Sequence, residues 1–450
     1  MVFTSVSASF ICFIIGLAVF VVLCFTKVPR IISVLIAALI MALGTVDVPV
    51  LTSMFTNLLT GAMNIIKIYM APGLAGVVAG CALGSTGCAT KIARTVMNAI
   101  GRDKGCLVIM IVSALVALSG VMGDFIVIPL VLAVCRECKL SRGVGLLCFV
   151  SQVQIIQFNL VGVPAVPQLI IAQWLGITIY ESVAMSVVCV ILAELLVYGI
   201  AMLFVHSDRK KGIGFNETPE IDLLKIPDEQ DDAELPSFLF SLIPLVIIIG
   251  GSMVLNLVCK LDITAAAVIS QIVAIIFLVI TRRKHWHFGG KANTIMEEFG
   301  ENINMVLPVI IVIGFVGGLG SVISTMAWYN PGIKWALSLN ASPYLLCFLV
   351  VAIIVLITSD AIAGISMFMS TLGPQFMAIP AISLPALHRI ISATACSLDS
   401  MPWTAGCYRY CVYHGMSVKT GWKYYTIATV GITTFMALFY VVWASIAWPC

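Results

Sequence analysis

Charged residues are scarce in this chain: they make up 10% of its 450 residues, while 61% are hydrophobic and the mean hydropathy is +1.12. Soluble domains carry about 25% charged residues, so a soluble globular fold is excluded. Apolar stretches that approach or exceed the roughly 18–20 residues of a bilayer crossing occur at 7–25, 31–41, 183–204, 238–258 and 263–280, among others. We predict an all-α polytopic membrane protein with about 10 spans and two re-entrant hairpins.

Several catalytic motifs are also missing. No G-x-x-x-x-G-K-[ST] phosphate loop occurs, which argues against ATP as an energy source within this chain. The absence of H-E-x-x-H and G-x-S-x-G weakens the case for an intramembrane hydrolase. The closest cysteine pairs, Cys135/Cys138 and Cys407/Cys411, have no second pair or histidine at metal-binding spacing. We therefore expect no enzymatic activity, no cofactor, no metal and no nucleic-acid partner.

One polar stretch divides the chain. Residues 207–235 carry three adjacent basic residues and then an acidic series, a composition typical of an exposed linker. We predict a first membrane repeat at 1–206, a cytoplasmic linker at 207–235 and a second membrane repeat at 236–450.

Two carboxylates lie inside apolar runs, each directly after a small residue. Asp124 and Asp360 are 236 residues apart, and the same spacing carries Leu-Gly-Ser at 83–85 onto Leu-Gly-Ser at 319–321. A carboxylate in hydrocarbon costs roughly 2.5–3.5 kcal/mol on insertion scales and marks an ion or substrate pathway by default. Matching sites in two halves are typical of a secondary transporter built from repeats.

Charge placement predicts that the two repeats are inverted. Basic clusters at 91–104 and 136–142 are expected on the cytoplasmic side, so 104–136 enters and leaves on one side as a re-entrant hairpin with its tip at 120–124. In the second half, the basic residues at 282–284 place the counterpart hairpin, 340–376, so that it opens outward. We expect a bacterial cytoplasmic membrane protein with both termini outside, and helices at 89–100 and 328–339 lying in the interface.

A helix break follows each hairpin. Phe-Asn-Leu-Val-Gly-Val-Pro at 158–164 and Ser-Leu-Asp-Ser-Met-Pro at 397–402 combine small residues with proline, which removes a backbone donor. Amides and helix N-termini freed at such breaks can hold an anion, and freed carbonyls can hold a cation. The sequence therefore predicts that two hairpin tips and two breaks converge on one site.

Candidate ligands fall at these four positions. Buried carboxyl and imidazole groups can gain and lose a proton near neutral pH, which makes them candidates for ion coupling. A simpler reading remains open for each: a carboxylate that caps a half-helix, an Arg389 that serves as a structural partner, or amides that only join helices. The ion-coupling candidates are Asp124, Asp360, Asp399 and His388; the substrate-binding candidates are Ser119, Gly120, Gly123, Asn159, Gly162, Thr358, Ser359, Arg389 and Ser400.

These motifs resemble the gluconate permease family of the ion-transporter superfamily, over nearly the whole chain. Gly-Asp-Phe-Ile-Val-Ile-Pro at 123–129, before a basic loop, is similar to the family's phenylalanine–aspartate stretch. Leu-Asp-Ser-Met-Pro at 398–402, with His-Arg-Ile at 388–390, looks most like the 3-hydroxybutyrate permease branch. The resemblance implies paired hairpins, a homodimeric scaffold, cation-coupled uptake of small organic anions and an elevator-like movement.

The resemblance has departures that bear on the substrate. Sugar-acid members carry a His- and Pro-rich segment near the first break, where 159–167 here has no histidine, and an Asn-Asp-Ser where this chain has Leu-Asp-Ser at 398–400. We expect a proton-coupled symporter of a short-chain (hydroxy)carboxylate such as 3-hydroxybutyrate, or of a sugar acid such as gluconate. Sodium-coupled symport and an organic-anion exporter or channel are the alternatives.

Overall fold

The structure, a computed structural model, is helical in nearly all of the chain that it describes. The described residues are 5–24, 26, 28–46, 49–101, 104–118, 124–163, 165–217, 234–288, 292–337, 341–358 and 360–449. Across these residues no strand forms, and β-type pairing is limited to one isolated bridge between Thr45 and Met326. The predicted all-α polytopic class is confirmed.

The first half contains the helices up to residue 210. They are α1 (Val6–Cys24), α2 (Arg30–Ala42), α3 (Val50–Thr52), α4 (Leu59–Ser85), α5 (Cys88–Ile100), α6 (Gly105–Ala117), α7 (Asp124–Glu137), α8 (Arg142–Gln152), α9 (Val166–Leu175) and α10 (Val183–Lys210). Two π-helical segments, Ser53–Leu58 and Val153–Gln157, continue α3 and α8. Since α10 runs to Lys210, the first residues of the predicted linker are helical, and Asp208 is buried against Ser141 and Tyr424.

The second half begins again with two apolar helices. Its helices are α11 (Phe238–Leu257), α12 (Ile263–Arg282), α13 (Ile295–Ile323), α14 (Tyr329–Leu337), α15 (Pro343–Thr358), α16 (Ala361–Thr371), α17 (Gly373–Met377), α18 (Leu384–Ala395), α19 (Ala405–Tyr413), α20 (Val418–Thr426) and α21 (Ile432–Ala447). Short 3-10 turns occur at Arg283–His285 and Leu398–Ser400, and the π-helical segment Ile427–Gly431 joins α20 to α21.

The spacing of 236 residues recurs in the bounds of the helices. Shifted by 236, α4 would cover 295–321, and α13 begins at Ile295 and ends at Ile323. In the same way α10 would cover 419–446, where the structure has one span from Val418 to Ala447. The hairpin arm α7 would cover 360–373, and α16 is Ala361–Thr371. The second half therefore repeats the element order of the first.

Six described helices are long and apolar enough to cross a membrane. They are Val6–Leu23, Val183–Lys210, Phe238–Asn256, Ala265–His285, Ile295–Ile323 and Val418–Ala447. A seventh candidate is the pair Gly73–Ser85 and Cys88–Ile100, which is bent by 67°. The arm helices α6, α7, α15 and α16 hold 11 to 16 residues each, fewer than the roughly 20 that a crossing requires. They pair as α6 with α7 and α15 with α16, as expected of two hairpins.

The long helices α4 and α13 join the halves at a crossing built from glycines. A Cβ on Gly318 would lie 2.6 Å from the Leu58 carbonyl oxygen and 2.9 Å from the Ala62 nitrogen. A Cβ on Gly314 would lie 2.9 Å from the Ala62 carbonyl oxygen. Small residues allow helix backbones to approach this closely in membranes, where packing rather than hydrophobicity drives association.

Replacing Gly318 with alanine should lower the melting temperature of the purified protein. The new methyl group meets backbone atoms of another helix, which cannot move aside as a side chain can, and overpacking costs about 1–3 kcal/mol. Gly300→Ala in the same helix is the matched control, because its Cβ would have no neighbour within 4 Å. Equal melting temperatures for the two variants would contradict the close crossing.

Candidate functional site

The first helix break is an irregular loop between α8 and α9. Helix α8 passes into the π-helical segment Val153–Gln157, and regular helix resumes at Val166. Gly162 adopts φ +80°, a left-handed conformation that glycine tolerates without a Cβ penalty. Its nitrogen donates to the Ile179 carbonyl oxygen at 3.0 Å. The predicted break is present at the predicted place.

Asn159 is fully buried at this break. Its Nδ2 donates to the Gln154 carbonyl oxygen at 2.9 Å, and its own carbonyl oxygen accepts from Ser186 Oγ at 2.7 Å. Within the described structure, Asn159 Oδ1 has no hydrogen-bond partner. A buried amide oxygen without a donor is costly, so Oδ1 is available to accept from a bound molecule.

Arg389 belongs to the second half of the chain, and its side chain binds groups at the first break. Its exposed fraction is 1%, and Nη1 donates to Gln168 Oε1 at 2.8 Å and to the Asn159 carbonyl oxygen at 3.5 Å. Nη2 donates to the carbonyl oxygens of Ile179 at 2.9 Å and Glu181 at 3.1 Å. All four acceptors are neutral oxygens, so the described contacts leave the positive charge uncompensated. The guanidinium both fixes this loop and makes its surroundings attractive to anions.

Two more side chains of α18 bind the same region. His388 Nε2 lies 3.0 Å from the Gln168 carbonyl oxygen, and Ser392 Oγ donates to the Phe158 carbonyl oxygen. Gln168 completes the junction, because its Nε2 donates to the carbonyl oxygens of Gln157 at 2.7 Å and Leu160 at 3.1 Å. The carbonyl groups that the break frees are therefore partly satisfied by side chains from α9 and α18.

The two breaks meet directly. Helix α18 ends at Ala395, and the next residue, Cys396, has its Sγ 4.0 Å from Asn159 Nδ2. A short turn, Leu398–Ser400, follows before α19 begins at Ala405. The predicted convergence of the breaks is thus present in the geometry, and α18 is the element that connects them.

Asp399 lies half-buried in the turn of the second break. Ser400 Oγ donates to Asp399 Oδ1 at 2.5 Å, and the Tyr425 hydroxyl lies 3.4 Å from Ser400 Oγ in a donating position. These hydroxyls orient one face of the carboxylate. Asp360 and Arg409 are its electrostatic neighbours.

The tip of the second hairpin supplies Asp360. Thr358 closes the tip, since its Oγ1 lies 3.1 Å from the Asp360 carbonyl oxygen and 3.4 Å from that of Val355. A Cβ on Gly320 of α13 would be 3.2 Å from Thr358 Cα, so the tip packs closely against α13. Helix α15 also packs on the Leu398–Ser400 turn, which places this hairpin beside the second break.

Arg409 is the cation of this region. Its exposed fraction is 8%, and its guanidinium carbon lies 4.4 Å from the centre of the Tyr410 ring. Arg409 and Asp360 are both near enough to Asp399 to interact electrostatically with its carboxylate. Opposite charges stabilise the ionised carboxylate, whereas a second carboxylate favours a shared proton.

Some predicted ligands lie outside this description. Ser119, Gly120, Gly123 and Ser359 lie outside the described residues. Asp124 begins α7, but its side chain is outside the described part of the structure. Sequence analysis missed Gln168, Ser186 and Tyr425, which contact the breaks, and the amide at 168 within α9 was the signal available for the first of these.

A family model for GntP family permeases matches residues 8–447 of this chain. The chain belongs to the GntP permease family. A relative of this permease in Bacillus subtilis (strain 168), the uncharacterized transporter YxjC, is 22% identical over 393 residues, covering 79% of this chain and 81% of the relative. The family and the apolar helices together make the permease a multi-pass membrane transporter.

Proposed function

We propose that this permease is a secondary active transporter that carries a short-chain carboxylate or hydroxycarboxylate together with protons. The observation that supports this most directly is the contact between the two helix breaks at Asn159 and Cys396, with Asp360, Asp399 and Arg409 beside it. Broken helices that meet within the membrane are the usual substrate sites of secondary transporters. The site has a cation for an anionic substrate and carboxylates for a proton.

Coupling follows from competition for Arg409. While Asp399 is ionised, it attracts the guanidinium, and the substrate carboxylate must compete with it. A proton on Asp399 removes this competitor, so proton and substrate anion bind best together. Asp360, near Asp399, raises the preference for a shared proton further. The orienting chain from Tyr425 through Ser400 keeps one oxygen of Asp399 in place during this exchange.

Arg389 contributes to substrate binding indirectly. Its four described hydrogen bonds go to the protein, so we assign it the positioning of the first break and a long-range attraction for the anion. His388 shares this positioning role through Gln168. Asn159 Oδ1 then accepts a hydrogen bond from a substrate hydroxyl, while Gly162, whose amide is bound to the Ile179 carbonyl oxygen, forms the turn of the break. Ser119, Gly120, Gly123, Asp124 and Ser359 remain part of the proposed site on the sequence pattern alone, which predicts them at the hairpin tips.

The substrate we favour is 3-hydroxybutyrate or a similar acid, with gluconate as the larger candidate. The lack of histidine in 159–167 and the Leu398 before Asp399 leave fewer polar groups than a polyhydroxylated sugar acid would need. The placement of basic residues supports inverted halves with a cytoplasmic linker and termini outside, and we extend the proposal to an elevator-like movement of the hairpins. We further propose that the permease forms a homodimer.

Transport by purified protein in liposomes tests this function. We expect an inward proton gradient to drive accumulation of labelled 3-hydroxybutyrate, and a sodium gradient at constant pH to drive none. Unlabelled substrate inside the vesicles should accelerate labelled uptake, which a channel would not show. Accumulation driven by a sodium gradient would identify Na⁺ and not the proton as the coupling ion. If no C3–C6 carboxylate showed gradient-driven uptake, the proposal would be contradicted.

Replacing Arg409 with glutamine should raise the substrate concentration for half-maximal counterflow by roughly ten- to a hundredfold. A hydrogen bond to a charged group contributes about 1.5–3 kcal/mol, and each 1.4 kcal/mol is tenfold in affinity. Arg283→Gln is the control, because Arg283 is exposed at the end of α12. An unchanged half-saturation in Arg409→Gln would exclude this residue as the anion ligand.

A further inference from the structure

Helix α10 carries a carboxylate that the site described above does not include. Glu194 lies near the middle of this span, between apolar residues whose side chains are exposed on the membrane-facing surface, such as Leu192 and Leu195. The span from Val183 to Lys210 has the length and composition of a membrane crossing. An acidic residue at this depth is costly to insert and marks a functional position by default.

The two oxygens of Glu194 differ in their surroundings. Oε2 accepts a hydrogen bond from Gln152 Nε2 at 2.7 Å, and the Gln152 side chain is 1% exposed. Oε1 is sealed from solvent and has no hydrogen-bond partner in the described structure. An ionised carboxylate with one neutral donor would be poorly compensated, whereas a neutral carboxyl group needs only the single hydrogen bond it has.

The described hydrogen bonds and ion pairs give Glu194 no cationic partner, although Arg142 begins α8 and Arg209 lies in the last turn of α10. Helix α10 packs against α6, α8, α21 and the π-helical segment Val153–Gln157. Cys148 of α8 interacts electrostatically with Glu194 and is hydrogen-bonded to Cys106 of α6. The other titratable groups of these elements include Cys189 and Tyr198 of α10 and Tyr440 of α21, while Arg209 interacts with Cys106 and Arg389 with Tyr440. Glu194 forms none of the described ion pairs. Because Glu194 as a residue is only partly buried, its charge state depends on whether its carboxyl group holds a proton.

Gln152 connects this carboxyl group to the first break. It is the last residue of α8, directly before the π-helical segment that leads to Asn159. π-helical segments are frequent at functional sites because they loosen the helix locally. Hydrogen bonds to an ionised acceptor are roughly twice as strong as those to a neutral one, so loss of a proton from Glu194 would tighten its hold on Gln152.

We propose that Glu194 is a second proton site of this permease, which exchanges one proton with water and transmits its charge to the first break through Gln152. The reaction is the transfer of a proton between the Glu194 carboxyl group and water, and no other bond changes. The coupling to transport rests on the proposed function, whereas the proton site itself does not.

Infrared titration of the purified protein in lipid bilayers tests the proton site without transport. We expect a protonated-carboxyl band that titrates with pH in the unmodified protein and in Glu297→Gln, whose exposed carboxylate is the control, and that is missing in Glu194→Gln. Gln152→Met removes the donor to the ionised form and should move the midpoint of this band by about one unit toward higher pH. Identical titrating bands in the unmodified protein and in Glu194→Gln would overturn the proposal.

A transport assay separates the two proposals. Glu194→Gln should remove part of the pH dependence of counterflow and leave the part that depends on Asp399, while substrate affinity at the lowest pH stays within about twofold, because the glutamine mimics the neutral acid. Folding is checked by the melting temperature, and Gln152→Met provides an independent variant. A Glu194 band that titrates in a protein that transports no carboxylate would support the proton site and overturn the proposed function. An unchanged pH profile in Glu194→Gln would overturn the coupling through Gln152.

Discussion

Replacing Arg389 with leucine is expected to lower the melting temperature of this permease sharply and to reduce the yield of folded protein. The change leaves Gln168 Oε1 and the Glu181 carbonyl oxygen without their donor, and the Ile179 carbonyl oxygen keeps only the hydrogen bond from the Gly162 nitrogen. Each unsatisfied buried acceptor costs about 1–3 kcal/mol, so the two that lose their donor cost roughly 2–6 kcal/mol together, against a typical total stability of about 5–15 kcal/mol. Thermal unfolding of the purified protein in detergent measures the effect.

Arg389→Lys is the informative comparison for this prediction. Lysine keeps the charge but has no planar fork, so it cannot reach acceptors on both sides of the break at once. We expect an intermediate melting temperature for Arg389→Lys and an unchanged one for Arg283→Gln, in which an exposed arginine is replaced. If Arg389→Leu has the same melting temperature as the unmodified protein, the four described hydrogen bonds do not stabilise the break. Arg389 would then be available as a direct substrate ligand.

Much of the fold follows from features that are local in the sequence. Apolar runs predict spans, and Gly or Ser beside Pro predicts breaks, because each signal acts within a few residues. The first predicted span, 7–25, corresponds to α1 at Val6–Cys24, and the predicted interfacial helix at 89–100 corresponds to α5 at Cys88–Ile100. The 236-residue spacing of two Leu-Gly-Ser motifs predicts that α4 and α13 are corresponding helices of the two halves.

The partners of the buried polar groups do not follow from the sequence. Arg389 contacts Gln168 across 221 residues, and Asn159 contacts Cys396 across 237 residues. Sequence spacing carries no information about which of several acceptors a long guanidinium will reach once helices pack. The same limit applies to Arg409, because its burial depends on α13 packing against α19 and not on its neighbours in the chain.

Replacing Asp399 with asparagine should abolish accumulation driven by a proton gradient while exchange across the membrane continues. Asparagine keeps the size of the side chain and a hydrogen bond to Ser400, but it cannot bind or release the coupling proton. It also no longer competes for Arg409, so the substrate anion should bind with or without a proton. Gradient-driven uptake and counterflow in the same liposomes measure the two activities separately.

The pH dependence gives the sign of this effect. In the unmodified permease, lower pH adds the proton to the carboxylate that competes with the substrate, so uptake should rise as the outside pH falls. In Asp399→Asn counterflow should be nearly independent of pH, apart from the contribution of Glu194, and Asp262→Asn at the exposed start of α12 should behave like the unmodified protein. If Asp399→Asn retains proton-driven accumulation, the coupling proton belongs to Asp360 instead. If proton-driven accumulation is lost in both Asp399→Asn and Asp360→Asn, the two carboxylates share the proton.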